Sequence, residues 1–357
     1  MTKVVANPRV AFIGAGKIIQ VGHIPSFQGL DNVETVAVCD INLDRAKEVA
    51  AEKGVAAAYD DYEKMLTEVQ PDITVIATPN IFHKPMTIAA LNAGSHVLCE
   101  KPLALTYEDA KEMMDTAAAN DLALHVGTHY RWNAPMQVCK RHVDGGFFGD
   151  IYAAKTTWHR RSGIPGFGSW FTRKNLAGGG CLLDIGIHAI DSALYLMGYP
   201  NPVTVSAVTF SKMGTQGIGL GGWGADIHNP GEGVVFDVDD LAWGLVRFDN
   251  GATLIVQISW AVQHAEEYMT QILGDKGGAS VGTQTVDLYT HLNGQTVDIQ
   301  APVPRMPDSY PTLIKHFVDY VGGNEDAPIV TARESLIDVQ IVDGMFRSAQ
   351  EGREVTV

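Results

Sequence analysis

The first 125 residues alternate short apolar runs with amphipathic stretches, and this alternation constrains the fold more than any other feature. The strand-like runs lie at 9–16, 35–40, 73–78, 96–100 and 122–130. The helical stretches between them lie at 42–54, 61–69, 86–94 and 106–120. Strands that are apolar on both faces and alternate with helices are typical of a parallel sheet covered on both sides. We therefore predict an α/β fold whose first domain, residues 1–130, is a Rossmann-type doubly wound parallel sheet.

From about residue 150 the apolar residues alternate with polar ones, as in strands with one buried face. Such runs lie at 151–160, 204–212, 241–262, 268–282 and 286–300. Asn250-Gly251 and Asn293-Gly294 separate alternating runs, which is the strongest short signal for a hairpin. We predict that residues 131–357 form an α+β domain with a large, mostly antiparallel, open-faced sheet. Two helices, at 315–323 and 333–352, end the chain. They can pack back on the first domain.

A sheet of this length leaves one face uncovered by helices, and Trp243 and Trp260 lie on its strands. We expect this open face to join subunits in a homodimer or homotetramer. Residues 214–233 hold eight glycines in twenty positions. They predict a long flexible loop that acts as a lid over the site or as an arm that reaches a neighbouring subunit.

Composition excludes several classes of protein. The net charge of −15 disfavours nucleic acid and anionic membranes as partners. The four cysteines are widely spaced, so we expect reduced, buried thiols, and no cluster of histidines with cysteines suggests a metal site. No segment shows the ~18 consecutive apolar residues of a membrane span, and we expect a cytoplasmic protein that binds no metal.

A glycine turn follows the first strand and predicts a dinucleotide site. Gly14 bends the turn, and Gly16 lets the backbone approach a pyrophosphate at the start of the next helix, where Lys17 and Ile18 lie. Ile19 stands where the fingerprint has a third small residue, so we expect the helix to pack less closely on the strand. Asp40 ends the second strand, where a carboxylate takes the ribose hydroxyls and repels a 2′-phosphate. This favours NAD over NADP.

The stretch 178–198, GGGCLLDIGIHAIDSALYLMG, carries a second set of polar residues. Asp184, His188 and Asp191 recur at helical spacing on a face separate from the apolar stripe. Histidine is suited to act as a base near neutral pH, and aspartate can orient it. A surface polar stripe, with Asp184 stabilising the helix start, explains the same spacing equally well.

Taken together and in this order, these motifs resemble the Gfo/Idh/MocA family (glucose–fructose oxidoreductase / inositol dehydrogenase). The resemblance rests on Gly14-x-Gly16, VCD at 38–40, ATPN at 77–80 with His83, CEKPLAL at 99–105, and the Asp184-x-x-x-His188 stretch. It implies that Lys101 is an active-site lysine followed by a cis peptide to Pro102. It also implies that Asp184 and His188 are the family's Asp-x-x-x-His pair. It also implies cofactor contacts, which lie at Thr78, Pro79, Asn80, His83, Glu100, Lys101 and Arg131. Family members act mostly on sugars and cyclitols and are commonly dimers or tetramers.

We therefore predict an oxidoreductase that transfers a hydride between a secondary alcohol of a sugar, glycoside or cyclitol and NAD. His188 is the expected base, and Lys101 is expected to stabilise the alkoxide. Asp184 is expected to orient His188 or a neighbouring hydroxyl group. The loop-like segment 158–174 supplies further candidate substrate contacts, which are Trp158, Arg160, Arg161 and Trp170. Two alternatives remain: a glycoside-processing enzyme that recycles tightly bound NAD through oxidation and elimination, and a non-catalytic NAD-binding regulator.

Overall fold

The computed structural model describes residues 2–223 and 235–357, and the contacts within the chain divide it into two compact units. Unit 1 comprises Met1–Gly127 and Pro307–Leu336. Unit 2 comprises Thr128–Met306 and Ile337–Val357. The division falls after Gly127 rather than after residue 130. It also assigns Pro307–Leu336 to the first unit, although this segment lies far along the chain.

The described part of unit 1 contains a six-stranded sheet in the order β3-β2-β1-β4-β5-β6, with parallel pairings throughout. Its strands are β1 Arg9–Ile13, β2 Glu34–Cys39, β3 Ala57–Tyr59, β4 Ile73–Ile76, β5 His96–Cys99 and β6 Leu124–Val126. The predicted doubly wound sheet is confirmed. The three-residue strand β3 was not predicted, because it is too short to show a pattern. The order of connections reverses between β1 and β4, and such a switch point is where open parallel sheets bind ligands.

The α-helices of the described residues are α1 Ile24–Gln28, α2 Leu43–Lys53, α3 Tyr62–Val69, α4 His83–Asn92, α5 Tyr107–Ala119, α6 Ala134–Asp144, α7 Lys174–Ala177, α8 Ile187–Met197, α9 Ser309–Val321 and α10 Ala332–Glu351. Side-chain caps account for several of their starts. The Asn42 side chain accepts a hydrogen bond from the backbone N–H of Arg45, and Thr106 accepts one from Asp109. Such caps satisfy backbone donors that the first helical turn leaves open.

Two π-helical turns depart from the prediction. Ile19–His23 precedes α1, and Leu182–Gly186 precedes α8, in the stretch 178–198, where the sequence predicts one helix after the three glycines. Ile19 is fully buried at the start of its π turn. A π turn accommodates one extra residue in a helix, and such turns are frequent at functional sites.

Within the described residues, unit 2 contains a nine-stranded sheet in the order β14-β13-β12-β11-β7-β10-β9-β8-β15. Its strands are β7 Ile151–His159, β8 Pro202–Phe210, β9 Leu241–Phe248, β10 Thr253–Ser259, β11 Glu267–Gly274, β12 Gly277–Val281, β13 Val286–Leu292, β14 Gln295–Ala301 and β15 Val355–Thr356. The neighbours are antiparallel except β7 and β10. This confirms the predicted sheet, and both Asn-Gly pairs turn hairpins, with positive φ at Gly251 and Gly294.

The two faces of this sheet differ. Helix α8 packs against β7, β10 and β11 on one face, which we call the inner face. The other, outer face carries six apolar side chains that are each 40–50% exposed, namely Val208, Phe210, Trp243, Ile255, Leu273 and Tyr289. Trp260 was expected on the open face with Trp243. However, β10 ends at Ser259, and Trp260 is only 1% exposed.

Two further segments of unit 2 bear on the predictions. The helical run Lys174–Met197 has the length and apolar composition of a membrane span, but 83% of its apolar window is buried, as in a core helix. Of the predicted glycine-rich loop, residues 214–223 are described and residues 224–233 lie outside the described residues. The described part is paired with the segment 162–166: the backbone N–H groups of Gly163 and Ile164 donate to Gly219, and that of Gly221 donates to Ile164.

Candidate functional site

The glycine turn after β1 has the geometry that a dinucleotide requires. Gly14 has a φ of +106°, and a Cβ at this position would lie 2.3 Å from the carbonyl oxygen of Ala77. Any side chain would therefore collide with the backbone after β4. At Gly16 a Cβ would meet nothing within 4 Å, so the backbone here borders open space. The turn leaves room for a group that lies against its backbone.

Asp40 fixes this turn from the end of β2. Its Oδ2 accepts a hydrogen bond from the backbone N–H of Ala15 at 2.8 Å, and its Oδ1 accepts one from Asn42 at 3.0 Å. The Nε–H of Arg45 donates to the carbonyl of Ala15 at 2.9 Å. The next side chain, Ile41, is 95% exposed. An apolar side chain that projects into solvent beside the carboxylate is available to cover an adenine ring.

The loop after β4 carries the predicted cofactor residues Thr78, Pro79, Asn80 and His83. Asn80 and His83 are buried. The Nδ1 of His83 lies 2.7 Å from the carbonyl oxygen of Pro102, and its Nε2 lies 3.0 Å from that of Thr78. Burial lowers the pKa of His83 below its ordinary value. The imidazole therefore links the loop after β4 to the loop after β5.

Lys101 is the second residue after β5, and the peptide bond between Lys101 and Pro102 is cis, as predicted. The preceding Glu100 is 6% exposed. Its carboxylate accepts hydrogen bonds from the Nε2–H of His23 at 2.8 Å and from the Tyr310 hydroxyl at 2.9 Å. Neither donor was predicted from the sequence, because neither belongs to a recognisable motif.

Asp184 lies within the π turn of unit 2. The indole Nε1–H of Trp260 donates to its Oδ2 at 2.8 Å. The start of this π turn is held by the buried Asp239, which accepts from the backbone N–H groups of Gly180 and Leu182. A Cβ at Gly180 would lie 1.9 Å from the Asp239 carbonyl oxygen, so the glycines before the helix permit this close approach.

His188 lies one turn beyond Asp184, in α8, and is 4% exposed. Its ring contacts His129 edge to face at a centroid distance of 5.0 Å, and Tyr130 at 4.8 Å. Tyr130 also contacts Trp158, at 4.9 Å. Burial raises the pKa of the Tyr130 phenol. The structure thus brings the predicted base and the predicted substrate residue Trp158 together through Tyr130.

The other predicted substrate residues differ in position. The Arg160 guanidinium lies over the Trp158 ring, 5.0 Å from its centroid. Arg161 is exposed, and its backbone N–H donates to Glu266. Trp170 stacks on Phe171 at 3.9 Å. Arg160 therefore lies in the aromatic cluster with Tyr130 and Trp158. The contacts described for Arg161 and Trp170 are with Glu266 and Phe171 instead.

Asp191 and Arg131 form a buried ion pair in unit 2. Both are at most 1% exposed, and the Asp191 carboxylate also accepts a hydrogen bond from the Tyr199 hydroxyl at 2.7 Å. Asp191 therefore lies in a buried ion pair and not on a solvent-exposed polar stripe. The pair gives Arg131 a structural role, and its predicted contact with the cofactor stays a prediction.

Neither the four cysteines nor any group of potential metal ligands among the described residues adds a reactive centre to the candidate site. All four cysteines are free and buried, as expected. Burial raises the pKa of Cys39 and Cys139 to about 12, so both are inert thiols at neutral pH. In residues 2–223 and 235–357, no group of three or more His, Cys, Asp or Glu side chains is placed to hold a metal ion.

The glycine turn, the carboxylate after β2 and the switch point of the parallel sheet define the dinucleotide-binding class of Rossmann proteins. Two family models match the chain, and they support this class and identify a family within it. Residues 8–128 match the model described as an oxidoreductase family with an NAD-binding Rossmann fold. Residues 136–280 match the Gfo/Idh/MocA C-terminal domain. The chain belongs to the Gfo/Idh/MocA family of oxidoreductases, and its cofactor is NAD.

Individual relatives agree with this assignment. The D-glucoside 3-dehydrogenase of Escherichia coli K12 is 35% identical over 351 residues, which cover 97% of each chain. A levoglucosan dehydrogenase of Pseudarthrobacter phenanthrenivorans is 31% identical over 67% of this chain and 63% of its own. A solved levoglucosan dehydrogenase in complex with NADH has a TM-score of 0.81 at 23% identity, over 98% of both chains, and shares the fold.

Proposed function

We propose that the protein oxidises a ring secondary alcohol of a sugar, and that a D-glucoside oxidised at C3 is its substrate. The observation that carries this proposal is the 35% identity to the E. coli D-glucoside 3-dehydrogenase over 97% of both chains. More distant relatives are also named for sugars and inositol. Shared length and identity at this level favour a shared substrate class over the wider range of the family.

NAD, when bound, supplies the hydride acceptor of this reaction. The backbone at Gly14 and Gly16 would hold the pyrophosphate, with Lys17 and Ile18 at the start of the following helix. The Asp40 carboxylate would take the adenosine ribose hydroxyls and disfavour a 2′-phosphate. The nicotinamide end would be held by residues from the loops after β4 and β5, which are Thr78, Pro79, Asn80, His83, Glu100 and Lys101.

We assign the catalytic roles to three side chains. His188 removes the proton of the substrate hydroxyl, and its ring is steadied by His129 and Tyr130. Lys101 donates a hydrogen bond to the same oxygen and stabilises the alkoxide as it develops. Asp184, held by Trp260, orients His188 or a neighbouring hydroxyl group.

The aromatic cluster of unit 2 supports a sugar as substrate. Trp158 contacts both Tyr130 and Tyr268, with ring centroids 4.9 and 4.8 Å apart, and Arg160 lies over the Trp158 ring. Aromatic rings can pack on the C–H face of a pyranose, while a guanidinium donates to its hydroxyls. Of the predicted substrate residues, Trp158 and Arg160 therefore have the stronger support, and Arg161 and Trp170 remain candidates.

The first experiment is a panel of D-glucosides, free aldoses, inositols and uronates, each with NAD or NADP, followed at the nicotinamide absorbance. We expect NADH to accumulate with D-glucosides and a 3-keto glycoside to form. Product from a glycoside without net NADH would instead favour oxidation followed by elimination, with recycled cofactor. Binding of NAD without turnover of any compound would favour a regulator and overturn the proposal.

Two variants test the assigned residues. We expect Lys101→Met and His188→Ala each to lower kcat by roughly 10²-fold, with little change in NAD affinity. Lys111→Met and His291→Ala change the same residue types at exposed positions and serve as matched controls. An unchanged kcat in either active-site variant would remove that residue from its role.

We also infer the assembly and location of the protein. The outer face of the nine-stranded sheet carries six half-exposed apolar side chains on five of its strands, and a second copy of the chain can cover them. We propose a homodimer or homotetramer built through this face. Four free, buried cysteines are usual in a reducing compartment, and we propose that the protein is cytoplasmic.

A further inference from the structure

The residues on either side of Lys101 are anchored by buried and partly buried side chains from distant parts of unit 1. On one side, the Glu100 carboxylate accepts from His23, Tyr310 and the backbone N–H of Lys101 itself, the last at 3.2 Å. On the other side, the Pro102 carbonyl lies 2.7 Å from the Nδ1 of His83. Lys101 therefore lies between two points of the backbone that the surrounding structure holds in place.

The set of Glu100, His23 and Tyr310, which we call the Glu100 cluster, is assembled by the fold. His23 ends the π turn before α1, and Tyr310 lies in the first turn of α9. Their rings meet edge to face at 5.4 Å. A Cβ at Gly127 would lie 3.1 Å from the Glu100 carboxylate, so the absence of a side chain there makes room for the cluster.

Burial makes this arrangement specific. His23 is fully buried and Glu100 is 6% exposed, so a carboxylate that lost its donors could not recover them from water. Its burial and these hydrogen bonds hold the Glu100 side chain in place, and the Glu100 carboxylate in turn holds the N–H of Lys101. Without the Tyr310 hydroxyl or the His23 N–H, the carboxylate would move toward other donors and the backbone at Lys101 would move with it.

We propose that His23 and Tyr310 are positioning residues for Lys101: through Glu100, they set the direction from which the lysine ammonium reaches the substrate oxygen. This inference rests on the proposed role of Lys101. Neither residue is assigned a contact with substrate or cofactor. Their effect on the reaction passes entirely through the Glu100 carboxylate and the Lys101 backbone.

The test uses Tyr310→Phe, which removes one hydroxyl and keeps the ring against His23. We expect kcat to fall by roughly tenfold or more, because small displacements of a catalytic group are costly. The KM for the sugar should change much less. Tyr320→Phe, a tyrosine further along α9, is the matched control and should behave as wild type. His23→Leu should lower kcat as Tyr310→Phe does, whereas His23→Gln, which keeps a donor, should restore most of it.

A double-mutant cycle separates positioning from a general structural role. In a Lys101→Met background, Tyr310→Phe should cause no further loss of the residual turnover, measured at high enzyme concentration. Wild-type kcat in Tyr310→Phe, or an equal loss in both backgrounds, would overturn the inference while the proposed function stands. Full turnover in Lys101→Met alone would instead overturn the role of Lys101 and the proposed function's chemistry with it.

Discussion

At the scale of single residues, the most informative contacts are those that sequence patterns do not mark. Asp184 and His188 belong to a recognisable spacing, but the groups that hold them do not. Trp260 directly follows β10, and Tyr130 lies in a short turn before α6. Both reach the site residues through the fold of unit 2, across 76 residues of chain for the pair Trp260 and Asp184.

Replacement of Trp260 by Phe tests whether Asp184 needs its indole donor. We expect kcat to fall by about tenfold, because Asp184 loses the indole donor that helps to fix its orientation, and stability to fall by about 1–3 kcal/mol. Steady-state kinetics and urea unfolding measure the two effects. Trp132→Phe, also at a buried position in unit 2, controls for the cavity. An equal loss of kcat in both variants would argue against a specific role for Trp260.

At the scale of secondary-structure elements, the helix ends depend most directly on the local sequence. Asn42 and Thr106 cap α2 and α5 as their residue types favour, and Gly54 ends α2 in the left-handed conformation. The π turns were not predictable in the same way. Apolar periodicity is similar for α-helix and π turn over five residues, so the packing around Ile19 and Leu182 decides between them.

The junction of β5 and β6 contains a histidine that should make stability depend on pH. His96 begins β5, and its Nδ1 accepts the backbone N–H of Ala123 at 3.0 Å. Burial lowers the pKa of His96 from 6.5 to about 4. Between these values the unfolded chain binds a proton that the folded protein does not, so stability falls as the pH drops below 6.5.

His96→Asn keeps an acceptor for Ala123 but cannot be protonated. We expect the variant to lose about 2–3 kcal/mol less stability than wild type between pH 7 and pH 4.5. Urea unfolding at the two pH values measures this difference. His291→Asn, at an exposed position, should follow wild type. If the two variants show the same pH dependence, His96 does not carry the effect.

At the scale of the whole molecule, the outer face of the unit 2 sheet is the proposed subunit interface. Cross-strand register aligns its apolar residues: Val208 lies opposite Trp243, and Leu273 opposite Gly278, whose other neighbour is Tyr289. Their partial exposure in one subunit agrees with burial against another. The alternating sequence predicted that one face would be open, but only the register shows which residues share it.

A charge on this face should weaken the assembly. We expect Trp243→Glu to shift the protein toward monomer, as measured by sedimentation equilibrium over a range of concentrations. Tyr152→Glu introduces the same charge at an exposed position on the other face of the sheet and should leave the assembly intact. A Trp243→Glu protein that keeps the wild-type mass at all concentrations would exclude this face as the subunit interface.

The sequence by itself determined the local features of this protein. The alternation of apolar strands and helices, the Gly14 turn with Asp40, the Asn-Gly hairpins and the caps all depend on residues close together in the chain. The tertiary structure decided the rest: the Glu100 cluster, the bond between Trp260 and Asp184, and the withdrawal of Asp191 into a buried pair with Arg131. These contacts join distant residues, and burial determines which partners they can reach. For that reason, short-range sequence patterns did not predict these contacts.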